Sequence, residues 1–227
     1  MSARSYEIDM TNGPVFKKMV RFAFPLMCSG VLQLLFNAAD VIVVGKFAGD
    51  NSMAAVGSNA ALINLLTNLF IGLSVGANVL AARYYGAKRD DQLRAVVHTA
   101  MLLALCSGAG LVAVGEIGAR QVLIWMQTPA AVLDLAALYL RIFFLGMPAM
   151  MLYNFGAALL RAKGDTQRPL YFLLLAGAVN VALNLLLVIQ FQLDVAGVAI
   201  ATVVSQCISA ALVTACLMRE TGGFRLE

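Results

Sequence analysis

Charged residues are scarce in this sequence. Asp, Glu, Lys and Arg make up 12% of its 227 residues, whereas 61% are hydrophobic, and the mean hydropathy is +0.85. Soluble domains carry about 25% charged residues. Half that fraction, together with apolar runs of about twenty residues that recur along the chain, excludes an ordinary soluble domain and indicates a polytopic membrane protein.

The motifs of common enzymes and metal sites are also missing. The sequence contains no H-E-x-x-H, no G-x-S-x-G, no P-loop and no dinucleotide-binding fingerprint. It has no C-x-x-C either, and its four cysteines lie singly within apolar runs, at Cys28, Cys106, Cys207 and Cys216. We expect these cysteines to act as small buried hydrophobic residues. We therefore expect no enzymatic activity and no bound cofactor.

Polar breaks divide the chain into six predicted membrane spans. The pattern favours one all-α domain over residues 1–227, and two of its spans contain a proline, Pro25 in the first and Pro148 in the fourth. Each proline removes a backbone hydrogen bond, so we expect both spans to bend there. The predicted spans cover about 15–44, 52–82, 94–116, 132–161, 169–190 and 195–218.

The basic residues predict the orientation of these spans. Thirteen of the sixteen lysines and arginines lie in the N-terminal segment from Arg4 to Arg21, the second-to-third loop, the fourth-to-fifth loop and the C-terminal tail. Lys46, Arg120 and Arg141 remain for the opposite side. The positive-inside rule then predicts a multi-pass protein of the cytoplasmic (plasma) membrane with both termini in the cytoplasm. Because the basic residues form short clusters between spans, we expect membrane lipid and no nucleic acid as a partner.

Three of the spans carry polar side chains at helical spacing, which places them on one face of each helix. An ionised side chain at bilayer depth costs about 2.5–3.5 kcal/mol and usually faces a bundle interior or water. If the three faces meet, the carboxylate of Asp40 in the first span is surrounded by amide and hydroxyl groups without a cation. It can then exchange a proton or bind sodium, a hard cation. The residues are Gln33, Asn37 and Asp40 in the first span, Asn180 and Asn184 in the fifth, and Thr202 and Gln206 in the sixth.

A structural interpretation of the same residues stays open. Polar side chains in membrane bundles often serve as interhelical hydrogen-bonding groups, worth about 0.6 kcal/mol each. Asp40 also lies near the outer end of its span, where headgroup water is within reach. Three asparagines lie near one face of the second span: Asn64, Asn68 and Asn78. They are explained equally well as residues that line a cavity and as residues that pack against a neighbouring helix.

Five stretches carry a more specific signal. They are "FAFPLM" with Pro25, "NAADVIVVGKFAG" with Asp40, "LYNFGAALLRAKGDTQRP" (152–169), "NVALNLLLV" (180–188) and "GVAIATVVSQ" (197–206). In this order and spacing the chain resembles the N-terminal six-helix lobe of the multidrug and toxic compound extrusion (MATE) transporters. The R-A-x-G-D-T-x-x-P loop is the most specific of the five stretches.

The resemblance implies a cation-coupled secondary antiporter, driven by H⁺ or Na⁺, that exports amphipathic, often cationic drugs and other xenobiotics. The positions it implies are Asp40 as the ion-coupling carboxylate, Asn180, Asn184 and Thr202 around it as the coupling or sodium site, Pro25 as the helix bend, and Gln33 and Asn154 in the substrate cavity. Asn37, on the same face of the first span as Gln33 and Asp40, is a further predicted cavity residue. Some members of the family carry a second aspartate where this chain has Asn184. With one carboxylate a sodium ion is less well neutralised, which favours proton coupling.

The family has two such lobes, related by an axis along the membrane normal. We therefore expect a missing second lobe or, as the alternative, a homodimer partner. Two other functions stay open. A flippase for lipid-linked oligosaccharides would need several cationic residues in its cavity to hold phosphates, and the spans lack them. A non-transporting scaffold subunit would tolerate Asp40→Asn.

Overall fold

The computed structural model describes Tyr6, Ile8 and residues 15–226, so Arg4 lies outside the described residues. Every regular element in the described part is helical. The long helices are α1 (Val15–Phe47), α2 (Asp50–Gly86), α3 (Asp90–Trp125), α4 (Leu133–Leu145), α5 (Met147–Ala162), α6 (Gln167–Leu185) and α7 (Asp194–Met218). A π-helical segment, Leu186–Gln190, extends α6, and a 3₁₀ turn, Gly222–Phe224, follows α7.

Five of these helices are each long and apolar enough to cross a bilayer, and the pair α4 and α5 makes a sixth, bent span. The all-α polytopic fold predicted from the sequence is therefore confirmed. The first three helices continue past the predicted ends of their spans. The third predicted span, for example, ends at 116, whereas α3 continues to Trp125.

The fourth span bends where a bend was predicted. It consists of α4 and α5, which meet at Gly146 with an angle of 48° between them. Pro148, in the first turn of α5, has no N–H to continue the helical hydrogen bonding. Gly108 of α3 lies against the backbone of Pro148, and a side chain at Gly108 would overlap it. By contrast, α1 runs through Pro25 as one helix, and the bend predicted there stays a prediction.

The centre of the bundle is α5, which packs against α2, α3 and α7. Eleven of its sixteen residues are buried, including Phe155, Leu159 and Leu160. In contrast, α1 contacts mainly α6 and exposes large apolar side chains along most of its length. This packing leaves a cavity between α1 and the remainder of the bundle.

Ion pairs join the loop between α5 and α6 to the chain that follows α7. Lys163 Nζ lies 2.6 Å from Glu220 Oε2, and Arg168 forms ion pairs with both Glu220 and Asp165. Asp165 is fully buried, and it accepts hydrogen bonds from the backbone N–H groups of Gln167 and Arg168 at 3.0 and 3.1 Å. Asp165 thus caps the beginning of α6.

The Glu220 carboxyl lies at the centre of this arrangement. Its burial would by itself raise the pKa, but hydrogen bonds from Lys163 and Arg168 stabilise the ionised form and hold the pKa of Glu220 below its usual value of 4.5. The loop and the C-terminal segment are therefore held together by a charged pair rather than by a neutral contact.

Candidate functional site

The site begins with a close contact between α1 and α6. The ring of Phe36 lies against Gly177, and a side chain at Gly177 would overlap it. Because Gly177 has no side chain, the two helices approach each other closely. Asp40 lies about one turn after Phe36, and Asn184 lies about two turns after Gly177. The contact therefore brings the carboxylate and the amide together.

A chain of hydrogen bonds connects α1, α6 and α7 at this point. Asn184 Nδ2 donates to Asp40 Oδ1, and it also donates to Asn180 Oδ1 at 3.2 Å. Asn180 Nδ2 donates to Thr202 Oγ1 at 3.3 Å. The Thr202 hydroxyl in turn donates to the Val198 carbonyl at 2.9 Å. All four residues that the resemblance assigned to ion coupling thus lie in one connected group.

The surroundings of Asp40 are polar but uncharged. Asn184 and Asn180 are buried, with 0% and 4% exposure, and the Thr202 hydroxyl lies within interaction range of the Asp40 carboxylate. Asn184 Oδ1 is buried and has no hydrogen-bond partner among the described residues. A half-buried carboxylate among neutral groups gains stability when it binds a proton or another cation. The unpaired amide oxygen adds a second acceptor at the same place.

Asp40 lies on the wall of a cavity of about 200 Å³ between α1, α2 and α4–α7. Gln33, Asn37 and Asn154, the three predicted cavity residues, all line it. Gln33 and Asn37 are exposed, whereas Asn154 is buried and its Nδ2 donates to the Met150 carbonyl at 3.0 Å. Phe36, Phe143 and Leu173 contribute apolar wall. Such a lining suits a ligand that has both polar and apolar parts.

Pro25 does not line the cavity. It lies fifteen residues before Asp40 in α1, about four helical turns away. Its carbonyl accepts a hydrogen bond from Ser29 Oγ at 2.9 Å. Any influence of Pro25 on the site must therefore act through the shape of α1 and not through direct contact.

The asparagines of α2 separate into two groups. Asn64 lines the cavity, and its carbonyl accepts a hydrogen bond from Asn68 Nδ2 at 2.8 Å. Asn78 Nδ2 instead donates to the Ala158 carbonyl at 2.6 Å and so ties α2 to α5. Asn64 therefore fits the cavity interpretation and Asn78 the packing interpretation, whereas Asn68 bonds only to the backbone of its own helix.

Sequence reasoning missed two buried polar residues, one of them beside the site. Tyr139 of α4 is buried, and its phenol interacts electrostatically with the Asp40 carboxylate. Asn59 of α2 is fully buried, and its Nδ2 donates to the Ala136 carbonyl of α4 at 3.0 Å. Tyr139 stands in an apolar run without a helical polar pattern, so the sequence offers no signal for it. Asn59 is five residues from Asn64, and this spacing does not place it on the same helical face.

The described residues include no group of three or more His, Cys, Asp or Glu side chains placed to bind a metal ion. The oxygen atoms around Asp40 come instead from one carboxylate, the Asn180 and Asn184 amides and the Thr202 hydroxyl. This donor set suits a weakly held, hard monovalent cation better than a resident transition metal.

A family model described as MatE matches residues 25–186 of this chain. The chain belongs to the MatE family. The matched segment contains Pro25, Asp40, Asn154, Asn180 and Asn184, so most of the candidate site falls within it. The family resemblance stated from the sequence motifs is therefore confirmed.

Curated and solved members of the MatE family support the same conclusion. The probable multidrug resistance protein YoeA of Bacillus subtilis is 35% identical over 195 residues, which are 84% of this chain and 42% of YoeA. A MATE protein solved in a bent conformation superposes with a TM-score of 0.84 at 26% identity, over 91% of this chain and 46% of that protein. A MATE protein solved in a straight conformation superposes with a TM-score of 0.83 at 27% identity, over 89% of this chain and 45% of that protein. The chain spans less than half the length of these relatives.

Proposed function

We propose that this MatE-family chain forms one lobe of a cation-coupled antiporter that exports amphipathic and cationic compounds across the cytoplasmic membrane. One observation carries the proposal: Asp40, hydrogen-bonded by Asn184, lies on the wall of a mixed polar and apolar cavity whose described lining residues include no lysine or arginine. The description of YoeA as a probable multidrug resistance protein supports the choice of substrates.

The proposed cycle uses the charge of Asp40. When Asp40 is ionised, the lobe stays in the state that receives substrate. When a proton or sodium ion binds from outside, Asp40 re-pairs with Asn180, Asn184 and Thr202, α1 bends near Pro25, and the cavity shrinks. Solved relatives in bent and straight conformations support a two-state cycle. Each charge moved through 100 mV contributes about 2.3 kcal/mol to export.

A proton is the favoured coupling ion in this proposal. With one carboxylate in the group, a proton cancels the charge completely, whereas a sodium ion needs further oxygen ligands. The unpaired Asn184 Oδ1 supports sodium as the alternative, because it is a buried acceptor beside the same carboxylate. The two ions are distinguished by applying their gradients separately.

Transport also requires a second helical bundle in this proposal. Alternating access works by rocking one bundle against another around a central site. Without that bundle, the exposed Gln33 and Asn37 side chains and the open side of the Asp40 cavity would meet lipid, at a cost of several kcal/mol. We propose that the second bundle is a second lobe of the complete protein, and a parallel homodimer is the alternative. Mass measurement of the purified transporter separates the two.

The test compares Asp40→Asn with Asp50→Asn, which removes the same charge from an exposed position outside the cavity. Everted membrane vesicles that carry the complete protein are given an acid lumen in one assay and a sodium-loaded lumen in another. Uptake of ethidium, an amphipathic cation, is then measured. We expect Asp40→Asn to abolish gradient-driven uptake and Asp50→Asn to retain it, with equal amounts of folded protein.

Undiminished uptake by the Asp40→Asn variant would refute the proposed coupling residue. Absence of any uptake by the unchanged protein would favour a non-transporting scaffold subunit instead. A lipid-linked oligosaccharide flippase is the weaker alternative, because the described residues that line the cavity include no lysine or arginine to hold phosphate.

A further inference from the structure

A second groove lies between α2 and α3, and it shares no lining residue with the Asp40 cavity. Its volume is about 460 Å³, within the range of about 300–1,000 Å³ typical of ligand pockets. Leu73 and Leu80 of α2 form one wall, and Val96 and Leu103 of α3 form the other. Phe155 of α5, 1% exposed, forms the floor. The two walls and the floor of the groove are therefore mainly apolar.

Small side chains between the two helices create the space. Gly76 and Ala77 of α2 face Ala95, Thr99 and Ala100 of α3 across the groove. A Cβ atom at Gly76 would meet no other atom within 4 Å. Both α2 and α3 are long and apolar enough to cross a membrane. If the open side of the groove faces hydrocarbon, acyl chains rather than water fill it.

The length of the groove matches one leaflet. On α3 the lining extends from Gln92 to Leu103, a rise of about 16 Å at about 1.5 Å per residue. Half of a hydrocarbon core of about 30 Å is about 15 Å. The Gln92 end lies beside the α2–α3 loop, so this end reaches the membrane surface while the Leu103 end lies deep in the bilayer.

Basic residues lie in and beside the α2–α3 loop, next to the Gln92 end of the groove. Arg83, Lys88 and Arg89 are all exposed, and Arg89 NH1 donates to the groove-lining Gln92 Oε1 at 3.3 Å. The loop that holds them is ordered by backbone hydrogen bonds, such as that from Arg89 N to the Tyr84 carbonyl at 3.0 Å. These cations are therefore placed where a lipid headgroup would lie.

The acidic residues nearby do not cancel this charge. Residues 83–94 contain four basic and two acidic residues. The Asp90 carboxylate lies on the side of the 3₁₀ turn, with Oδ2 3.8 Å from the position that a Cβ at Gly222 would take. On that side Phe224 packs edge-on against Tyr85, with 5.2 Å between ring centroids. Asp91, also in the first turn of α3, is the other acidic residue of this segment.

We propose that the groove between α2 and α3 binds an anionic phospholipid. One acyl chain lies on Phe155 between the two helices, and Arg83, Lys88 and Arg89 hold the phosphate. Basic pockets between membrane helices recognise anionic headgroups in this way, and arginine pairs with phosphate through two parallel hydrogen bonds. The site is distinct from the Asp40 cavity and does not depend on the proposed transport function.

Native mass spectrometry of the purified protein tests this proposal with phosphatidylglycerol and phosphatidylcholine that carry the same acyl chains. We expect phosphatidylglycerol to be retained preferentially. Replacing both Lys88 and Arg89 by glutamine should weaken that retention about 25-fold, because each basic residue near the surface contributes about fivefold. The matched control replaces Lys17 and Arg21, two exposed basic residues of α1, and should leave retention unchanged.

A second pair of variants tests the groove itself. Gly76→Leu places a side chain in the groove and should remove most of the phosphatidylglycerol binding. Gly72→Leu is the control, because a Cβ there also meets nothing within 4 Å and Gly72 does not line the groove. Ala95→Leu fills the same groove from α3 and replaces Gly76→Leu if that variant does not fold, as judged by thermal unfolding.

Equal retention of phosphatidylglycerol and phosphatidylcholine would overturn the headgroup assignment. Equal loss of binding in the Gly72→Leu and groove-filling variants would overturn the groove assignment. Glycerol 3-phosphate, which has the headgroup phosphate without acyl chains, is the third arm. If it bound as tightly as phosphatidylglycerol, the site would be a simple anion site and the acyl-chain proposal would be wrong.

Discussion

Asn184 donates a hydrogen bond to Asp40 although 144 residues separate the two in the chain. This bond joins α1, which otherwise has most of its apolar surface exposed, to the better-packed α6 and α7. It depends on the contact between Phe36 and Gly177, which brings the two helices close together. The position of the Asp40 carboxylate is thus set by a contact one helical turn away from it on α1.

Asn184→Asp should make transport depend on sodium. A second carboxylate beside Asp40 repels the first when no cation is present, and the pair neutralises a sodium ion better than one carboxylate does. Ethidium transport should therefore rise more steeply with sodium chloride than with choline chloride. Asn64→Asp is the control, because Asn64 lines the same cavity without a hydrogen bond to Asp40. An unchanged response to sodium in Asn184→Asp would contradict this prediction.

Gly177→Ala should destabilise the protein and impair coupling together. The added methyl group would overlap the Phe36 ring, so α1 must move away from α6, and overpacking of this kind costs about 1–3 kcal/mol. The same movement should separate Asp40 from Asn184. Thermal unfolding in detergent and ethidium transport measure the two effects. Gly30→Ala is the control on α1, since a Cβ there meets nothing within 4 Å, and it should preserve both properties.

Glu220→Gln should remove part of the protein's stability at neutral pH. Because folding lowers the pKa of Glu220, its ion pairs stabilise the protein above the unfolded pKa of 4.5 and are lost as the pH falls through the lower folded value. Removing one partner of a buried ion pair costs about 3–5 kcal/mol. We expect a loss near the lower end of this range, because Arg168 is partly exposed and water can solvate its charge. Unfolding temperatures at pH 7 and at pH 3 measure the effect.

In that experiment the difference between Glu220→Gln and the unchanged protein should shrink as the pH falls, because the Glu220 carboxyl becomes protonated as the pH passes through its lowered folded pKa. Glu116→Gln is the control, because Glu116 is exposed and makes no ion pair among those found in the described residues. A destabilisation that is equal at pH 7 and pH 3 would show that the charge of Glu220 does not stabilise the fold.

The predicted orientation of the spans can be measured by cysteine labelling. In a variant without the four native cysteines, Lys46→Cys should react with a membrane-impermeant maleimide applied to intact cells. Lys88→Cys should react after the membrane is permeabilised. The reason is the distribution of basic residues, since thirteen of sixteen are predicted on the cytoplasmic side. Reaction of position 88 in intact cells would reverse the predicted topology.

Local sequence patterns were sufficient for the spans and their polar faces. An apolar run of about twenty residues has few alternatives to a membrane helix, because every backbone polar group must be satisfied within the segment. Helical spacing likewise placed Asn180 and Asn184 on one face of α6 without any knowledge of the fold. The bend near Pro148 was predictable for the same reason, since proline lacks the N–H that a continuous helix requires.

Helical spacing indicates which face a residue occupies, but not which helix that face meets. Tyr139 interacts with Asp40, and Lys163 pairs with Glu220, 57 residues away in the chain. No local sequence pattern predicts either contact. The groove beside Gly76 likewise exists because two helices place small residues opposite each other. The sequence by itself therefore determined the family, the spans and the candidate polar faces. The tertiary structure decided the partners, because pairings between distant segments depend on how all the helices pack together.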